Sequence, residues 1–140
     1  MIVIDASLAV KWYAEEVHSD AADTVLASNR GSIVVPGVFV GEVIGALVRR
    51  ANIDKFLRRE SLSSIGQFVA LLDGPWIKTD HTDRSAMTRA ATLALDLGHP
   101  LKDCIYLALA MDLSCDLVTC DARFAAKARG VWAGVKVLGA

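Results

Sequence analysis

The chain has 140 residues, of which 54% are hydrophobic, 22% charged and 6% aromatic, and its fifteen Lys/Arg against sixteen Asp/Glu give a formal net charge of −1. This length suits one domain over 1–140, able to bury roughly two-thirds of its unfolded surface without a disulfide or structural metal. The aliphatic content excludes a disordered chain, no apolar stretch approaches the ~18–20 residues of a membrane span, and the balanced charge leaves any polyanionic partner dependent on a local basic patch or on metal ions.

Residues 1–4 form a short apolar run ending at Asp5, the pattern of a strand buried on both faces. Asp5 interrupts that run too early for a signal peptide, and no basic segment precedes it. Ser7 is placed to cap a helix over 8–14, and a second helical piece over 18–29 stops at Asn29-Arg30-Gly31. Residues 33–35 read as a strand, closed by Pro36-Gly37. Apolar residues then recur at helical spacing over 38–51 and over 54–72, with Asp73-Gly74-Pro75 as the stop. A third strand is expected over 76–79. A helix from Thr82 or Asp83 to Leu97 follows, then another over 101–113, which is apolar all round from Cys104 to Met111. Residues 117–119 are a fourth strand, Asp121 caps a helix running to Arg129, and 135–138 are a fifth strand. Alternation of short apolar strands with helices predicts a three-layer α/β/α sandwich around a parallel sheet of about five strands. The cysteines, Cys104, Cys115 and Cys120, are odd in number and sparse. They read as small hydrophobes in a reducing compartment, expected to be the cytoplasm, and not as a disulfide or zinc framework.

In such sheets ligands bind beyond the carboxyl ends of the strands. Asp5 and Asp121 both fall there. Glu42 lies early in a helix among Val38, Phe39, Val40, Val43 and Ile44, between Gly41 and Gly45, where a charge is costly unless paired or metal-bound. The two glycines leave room for close approach of another backbone or a ligand. Asp103 opens the apolar stretch after Pro100. Each residue has an ordinary alternative: a turn for Asp5, a helix cap for Asp121, a dipole partner for Asp103. Brought together at ~7 Å, however, each pair of carboxylates would repel by roughly 2 kcal/mol, so an empty site would be strained or partly protonated. A hard divalent cation, Mg²⁺ or Mn²⁺, relieves this.

The segments Ile2-Val3-Ile4-Asp5-Ala6-Ser7, Val35-Pro36 followed by Glu42, Asp103-Cys104-Ile105-Tyr106-Leu107-Ala108-Leu109-Ala110 and Leu117-Val118-Thr119-Cys120-Asp121-Ala122-Arg123-Phe124 together resemble the PIN-domain family, and within it the ribonuclease toxins of VapBC-type toxin–antitoxin pairs. The resemblance spans the chain in the family's order. It implies a Mg²⁺- or Mn²⁺-dependent endoribonuclease whose acidic positions are Asp5, Glu42, Asp103 and Asp121, with Asp5 and Asp103 the most consistent metal positions. Ser7 and Thr119 match supporting hydroxyls, and Asp116 matches a further acidic position that reads equally well as a turn at the start of a strand. The resemblance also implies homodimerisation and inhibition by a small antitoxin, a VapB-like protein, that pushes a peptide into the crevice.

Lys102 and Arg123, beside two of the acids, are candidates to grip RNA phosphate or to stand solvated. Arg49-Arg50 and Arg58-Arg59 read as helix-face charge, Trp12-Tyr13 as core, and His18, His81 and His99, scattered near element ends, as neither ligands nor bases. The 54–72 stretch has apolar residues for two faces and is a candidate dimer or antitoxin surface. A receiver-like signalling domain is disfavoured: only Gly139 and Ala140 follow the last strand, leaving no lysine there, and no paired acids follow the first. An RNA-processing nuclease without a toxin role, and a non-catalytic binding module, remain open on the sequence.

Overall fold

The computed structural model describes Met1–Ala140. Five strands, β1 (Ile2–Ile4), β2 (Ile33–Pro36), β3 (Ile77–Asp80), β4 (Asp116–Thr119) and β5 (Val135–Val137), form one parallel sheet in the order β3-β2-β1-β4-β5. Seven helices flank it: α1 (Ala6–Val10), α2 (Ser19–Ser28), α3 (Val38–Ile53), α4 (Arg58–Asp73), α5 (Arg84–Leu97), α6 (Leu101–Leu113) and α7 (Ala122–Ala128). The molecule is the expected α/β sandwich. The inner strands are short and mostly buried, as continuous apolar runs require when helices cover both faces, whereas edge strands β3 and β5 expose Lys78 and Lys136. Pro36 ends β2, and the pairing of β2 with β1 stops at Val34, since proline has no N–H to carry it further.

The core is a single cluster that joins β1, β2 and β4 to Leu8, Phe39, Phe68, Tyr106 and Phe124. Helix α6 touches β1, β2 and β4 and buries Cys104 through Ala108, which explains its weak amphipathicity. Gly98 stops α5 with a left-handed φ of 60°, a conformation other residues adopt only with strain. Trp12 and Tyr13 pack on the core, and the Trp12 indole N–H donates to the Ala22 carbonyl at 2.9 Å. All three cysteines are free thiols. No helix is long and apolar enough to cross a membrane.

Two local expectations change. Ser7 does not cap the first helix; Asp5 does, accepting from the Leu8 N–H at 3.1 Å. A carboxylate two residues earlier is the stronger acceptor, and it leaves the Ser7 hydroxyl free to donate to Asp5 instead. The 54–72 stretch is also not one helix. Asp54, in extended conformation, caps a 3-10 turn over Lys55–Leu57 before α4 begins, and its side chain accepts from the Phe56 N–H. That break turns Ile53 and Phe56 outward, 81% and 99% exposed.

The strand order fixes where a ligand crevice lies. From β1 the chain adds β2 and β3 on one side, then returns to place β4 and β5 on the other. The reversal falls between β1 and β4, and the crevice opens at their carboxyl ends. Register pairs Ile4 with Val118, so Asp5 and Thr119 stand side by side at that edge.

Candidate active site

Asp5 is the centre of the arrangement. It is 8% exposed and both of its oxygens are fully engaged. Oδ1 accepts from the Ser7 hydroxyl at 2.7 Å and the Leu8 N–H at 3.1 Å; Oδ2 accepts from the Thr119 hydroxyl at 2.5 Å and the Cys120 N–H at 3.3 Å. No lysine, arginine or histidine pairs with it. Burial pushes its carboxyl above the ordinary aspartate value of 3.8, and the four hydrogen bonds only partly offset this. The sequence led us to expect charge repulsion to do this; desolvation is the larger cause, because Asp5 is almost wholly buried.

Thr119 links Asp5 to Asp121. Its hydroxyl, 1% exposed, donates to Asp5 and accepts from the Asp121 N–H at 3.1 Å. Asp121 caps α7 through Oδ1, which accepts from the Phe124 N–H at 2.9 Å, as its position after β4 predicts. One ligand atom each of Asp121, Asp103 and His99 lies within 4.8 Å of the others. Asp103, in the first turn of α6, holds the His99 ring nitrogen Nε2 at 2.6 Å from Oδ2.

Glu42 arrives from the second turn of α3. Its Oε1 accepts from the Tyr106 hydroxyl at 2.7 Å, and its Oε2 lies 3.4 Å from the Lys102 ammonium. The Tyr106 hydroxyl is pushed far up from 10.0, first by burial, then by its bond to Glu42 and by the charges of Glu42, Asp5 and Asp103. A phenol that feels three carboxylates marks their convergence. Lys102, 60% exposed, thus neutralises Glu42 in this state, while Arg123 stands exposed on the first turn of α7. Gly41 and Gly45 have no atom within 4 Å of where a Cβ would sit, so no neighbouring backbone requires them. They instead line, with Ser7, Glu42, Arg49 and Lys102, a groove of about 360 Å³ that leads to the acids.

Asp116 is the exception among the candidates. It begins β4, opposite Ile2, and so lies at the amino edge of the sheet, three residues before Thr119 and roughly 10 Å away along the strand. There it pairs with Lys136 at 2.7 Å. Parallel pairing carries it to the end opposite the crevice, a distance its closeness to Asp121 in sequence conceals. Two residues at the site escaped the sequence reading. Tyr106 looked like one more apolar position of α6. His99 looked like a helix-end histidine, although its place four residues before Asp103 puts it within one turn of that side chain.

A family model described as PIN domain matches residues 2–130. The chain belongs to the PIN-domain family. It is a VapC-like member: it is 34% identical over 127 residues to Ribonuclease VapC12 of Mycobacterium tuberculosis, covering 89% of this chain and 90% of that one. Its fold is similar to that of VapC20 from the same organism, a toxin that cleaves the sarcin–ricin loop, with a TM-score of 0.70 at 15% identity over 90% of this chain and 94% of that one. A toxin–antitoxin complex from Klebsiella pneumoniae is similar at a TM-score of 0.65 and 13% identity, covering 96% and 95% of the two chains.

The side chains of this PIN domain fit a divalent cation. A buried carboxylate without a cationic partner, beside two further acids with oxygens within 4.8 Å of each other, is a donor set that gains by binding positive charge. Asp5 can offer an oxygen only if one of its donors withdraws. The Ser7 and Thr119 hydroxyls can rotate to do so; the two backbone N–H groups cannot.

Proposed function

We propose that this chain is a Mg²⁺- or Mn²⁺-dependent endoribonuclease, acting as one domain and serving as the toxin of a type II toxin–antitoxin pair. The observation that carries the reading is the convergence of Asp5, Glu42, Asp103 and Asp121 at the β1/β4 switch point, linked through Thr119 and Tyr106. The kinship with VapC12, whose name states a ribonuclease, gives the reaction class.

Asp5, Asp103 and Asp121, with Glu42, would hold the metal. A divalent ion held there would supply a more acidic water and charge stabilisation for the oxygen that leaves phosphorus. The protein's own groups do the rest. Ser7 and Thr119 orient Asp5, and Tyr106 fixes Oε1 of Glu42, leaving Oε2, paired only with the exposed Lys102, as the oxygen Glu42 can offer a cation. Lys102 and Arg123 are placed to hold RNA phosphate once the acids are neutralised. A homodimer and an antitoxin complete the reading. The exposed apolar side chains Ile53, Phe56 and Leu62 around the α3–α4 junction offer a surface for such a partner, and the fold likeness to a toxin–antitoxin complex supports one.

The test is cleavage of a structured RNA by purified protein. Cleavage is expected to stop with a chelator and to return with Mg²⁺ or Mn²⁺; cleavage that persists after exhaustive chelation, or no metal binding at all, overturns the reading. Asp116→Ala is expected to cleave at the wild-type rate and to cost about 0–1 kcal/mol, the worth of its exposed pair with Lys136. A cleavage defect there would return Asp116 to the site.

A further inference from the structure

We infer that His99 is a positioning residue for the acidic centre: it holds Asp103 by one oxygen and leaves the other to ligate beside Asp121. The inference rests on the reading above, that Asp103 and Asp121 bind a divalent ion.

The ring is fixed on every side. Its Nε2 lies 2.6 Å from Asp103 Oδ2. Its face lies on the buried Phe124 ring, with centroids 4.6 Å apart and planes inclined by 34°. Its Nδ1 is 3.5 Å from the Lys127 ammonium, which also donates to the Gly98 carbonyl at 3.1 Å. The side chain is 10% exposed.

These contacts determine which nitrogen carries the proton. An ionised carboxylate only accepts, so the Nε2 facing Asp103 carries a proton and donates it. Nδ1 faces the Lys127 ammonium, which has donors and no acceptor. A protonated nitrogen has no lone pair for a metal. His99 is therefore held as a donor to a ligand and not as a ligand itself, although its nitrogen falls within 4.8 Å of the oxygens of Asp103 and Asp121. With Oδ2 committed to His99, Oδ1 is the oxygen left for a cation. Lys127 and Phe124 belong to α7, whose first residue follows Asp121. The histidine thereby clamps the start of α6 to α7 and sets the separation of two acids that the sequence places eighteen residues apart. Outer partners of this kind orient a carboxylate and tune its basicity.

The test compares Mn²⁺ affinity, by calorimetry on the whole protein, among wild type, His99→Leu, His99→Asn and His99→Gln, with thermal unfolding of the metal-free proteins as the check on folding. Leu offers no donor, Asn has one too short to reach Asp103, and Gln can reach. Affinity is expected to fall roughly 10–100-fold in His99→Leu and His99→Asn and to be largely restored in His99→Gln. If His99→Leu does not fold, the Asn and Gln variants make the same comparison. Pulsed electron paramagnetic resonance of wild-type protein with Mn²⁺ is expected to show no directly bound imidazole nitrogen. A strong nitrogen coupling, unchanged affinity in His99→Leu, or a Gln variant as weak as Asn overturns the inference. Wild-type protein that binds no Mn²⁺ overturns it together with the function above; the other outcomes leave that function standing.

Discussion

Asp5→Asn is expected to reduce RNA cleavage by more than ~10²-fold, because loss of an outer partner alone costs roughly 10–100-fold and Asp5 is read as a ligand. The same substitution is expected to change how stability depends on pH. In the folded protein burial holds the Asp5 carboxyl above its ordinary 3.8. Between that value and the raised one, the folded state keeps a proton that the unfolded state has lost. Stability contributed at this position therefore falls as pH rises through the window, and the full penalty persists above it. Asn has no charge to bury and escapes that fall. It carries a pH-independent cost of its own: the amide NH₂ must face either the Leu8 or the Cys120 N–H, neither of which can turn away, and an orphaned donor costs about 1–3 kcal/mol. The midpoint of the variant minus that of the wild type is thus expected to increase from pH 4 towards neutrality in metal-free buffer, whatever its starting sign. Adding Mg²⁺ should stabilise the wild type and leave Asp5→Asn unmoved. A difference that stays flat or falls over that pH range would show that Asp5 is not a desolvated charge.

Thr119→Val should have the second largest effect. Val keeps the shape and the strand preference, so β4 persists, but it removes the one hydroxyl that serves two acids. Asp5 Oδ2 loses its shortest hydrogen bond, and the Asp121 N–H loses its acceptor in the same step. A hydrogen bond to a buried charge is worth about 1.5–3 kcal/mol, and stability should fall by that order in chemical denaturation. Cleavage should fall roughly 10–100-fold as for other outer partners. Thr119 also makes the strongest of the bonds that hold the Asp5 carboxyl down, so the acid limb of the pH–rate profile should move upward in Thr119→Val. Thr119→Ser keeps the hydroxyl and should restore both properties. A Val variant with full stability and activity would reduce Thr119 to a packing residue.

The limits of the sequence reading are visible at particular residues. The strands, α6 and the cap at Asp121 depend on neighbours in the chain, and apolar runs, Pro100 and Gly98 mark them directly. The helix over 54–72 was misread because Asp54 breaks it through its own backbone and cap, a local choice that apolar spacing does not register. Asp116 was kept as a candidate because one dimension cannot tell the start of a strand from its end relative to a crevice. His99 and Tyr106 were passed over because their partners, Lys127 and Glu42, are 28 and 64 residues away.

What the amino-acid order determined alone is the alternation of strand and helix, and with it the presence of acids after the first and fourth strands and early in two helices. Those features follow from periodicity and capping, which act over a few residues. Only the tertiary structure decided that β1 and β4 are neighbours, because a strand's partner is chosen by burial of the whole sheet and not by its own sequence. That choice sets Asp5 beside Thr119, brings His99 and Tyr106 to the carboxylates, and sends Asp116 to the far edge. It also makes the Asp5 charge costly, since the packed fold removes water from it.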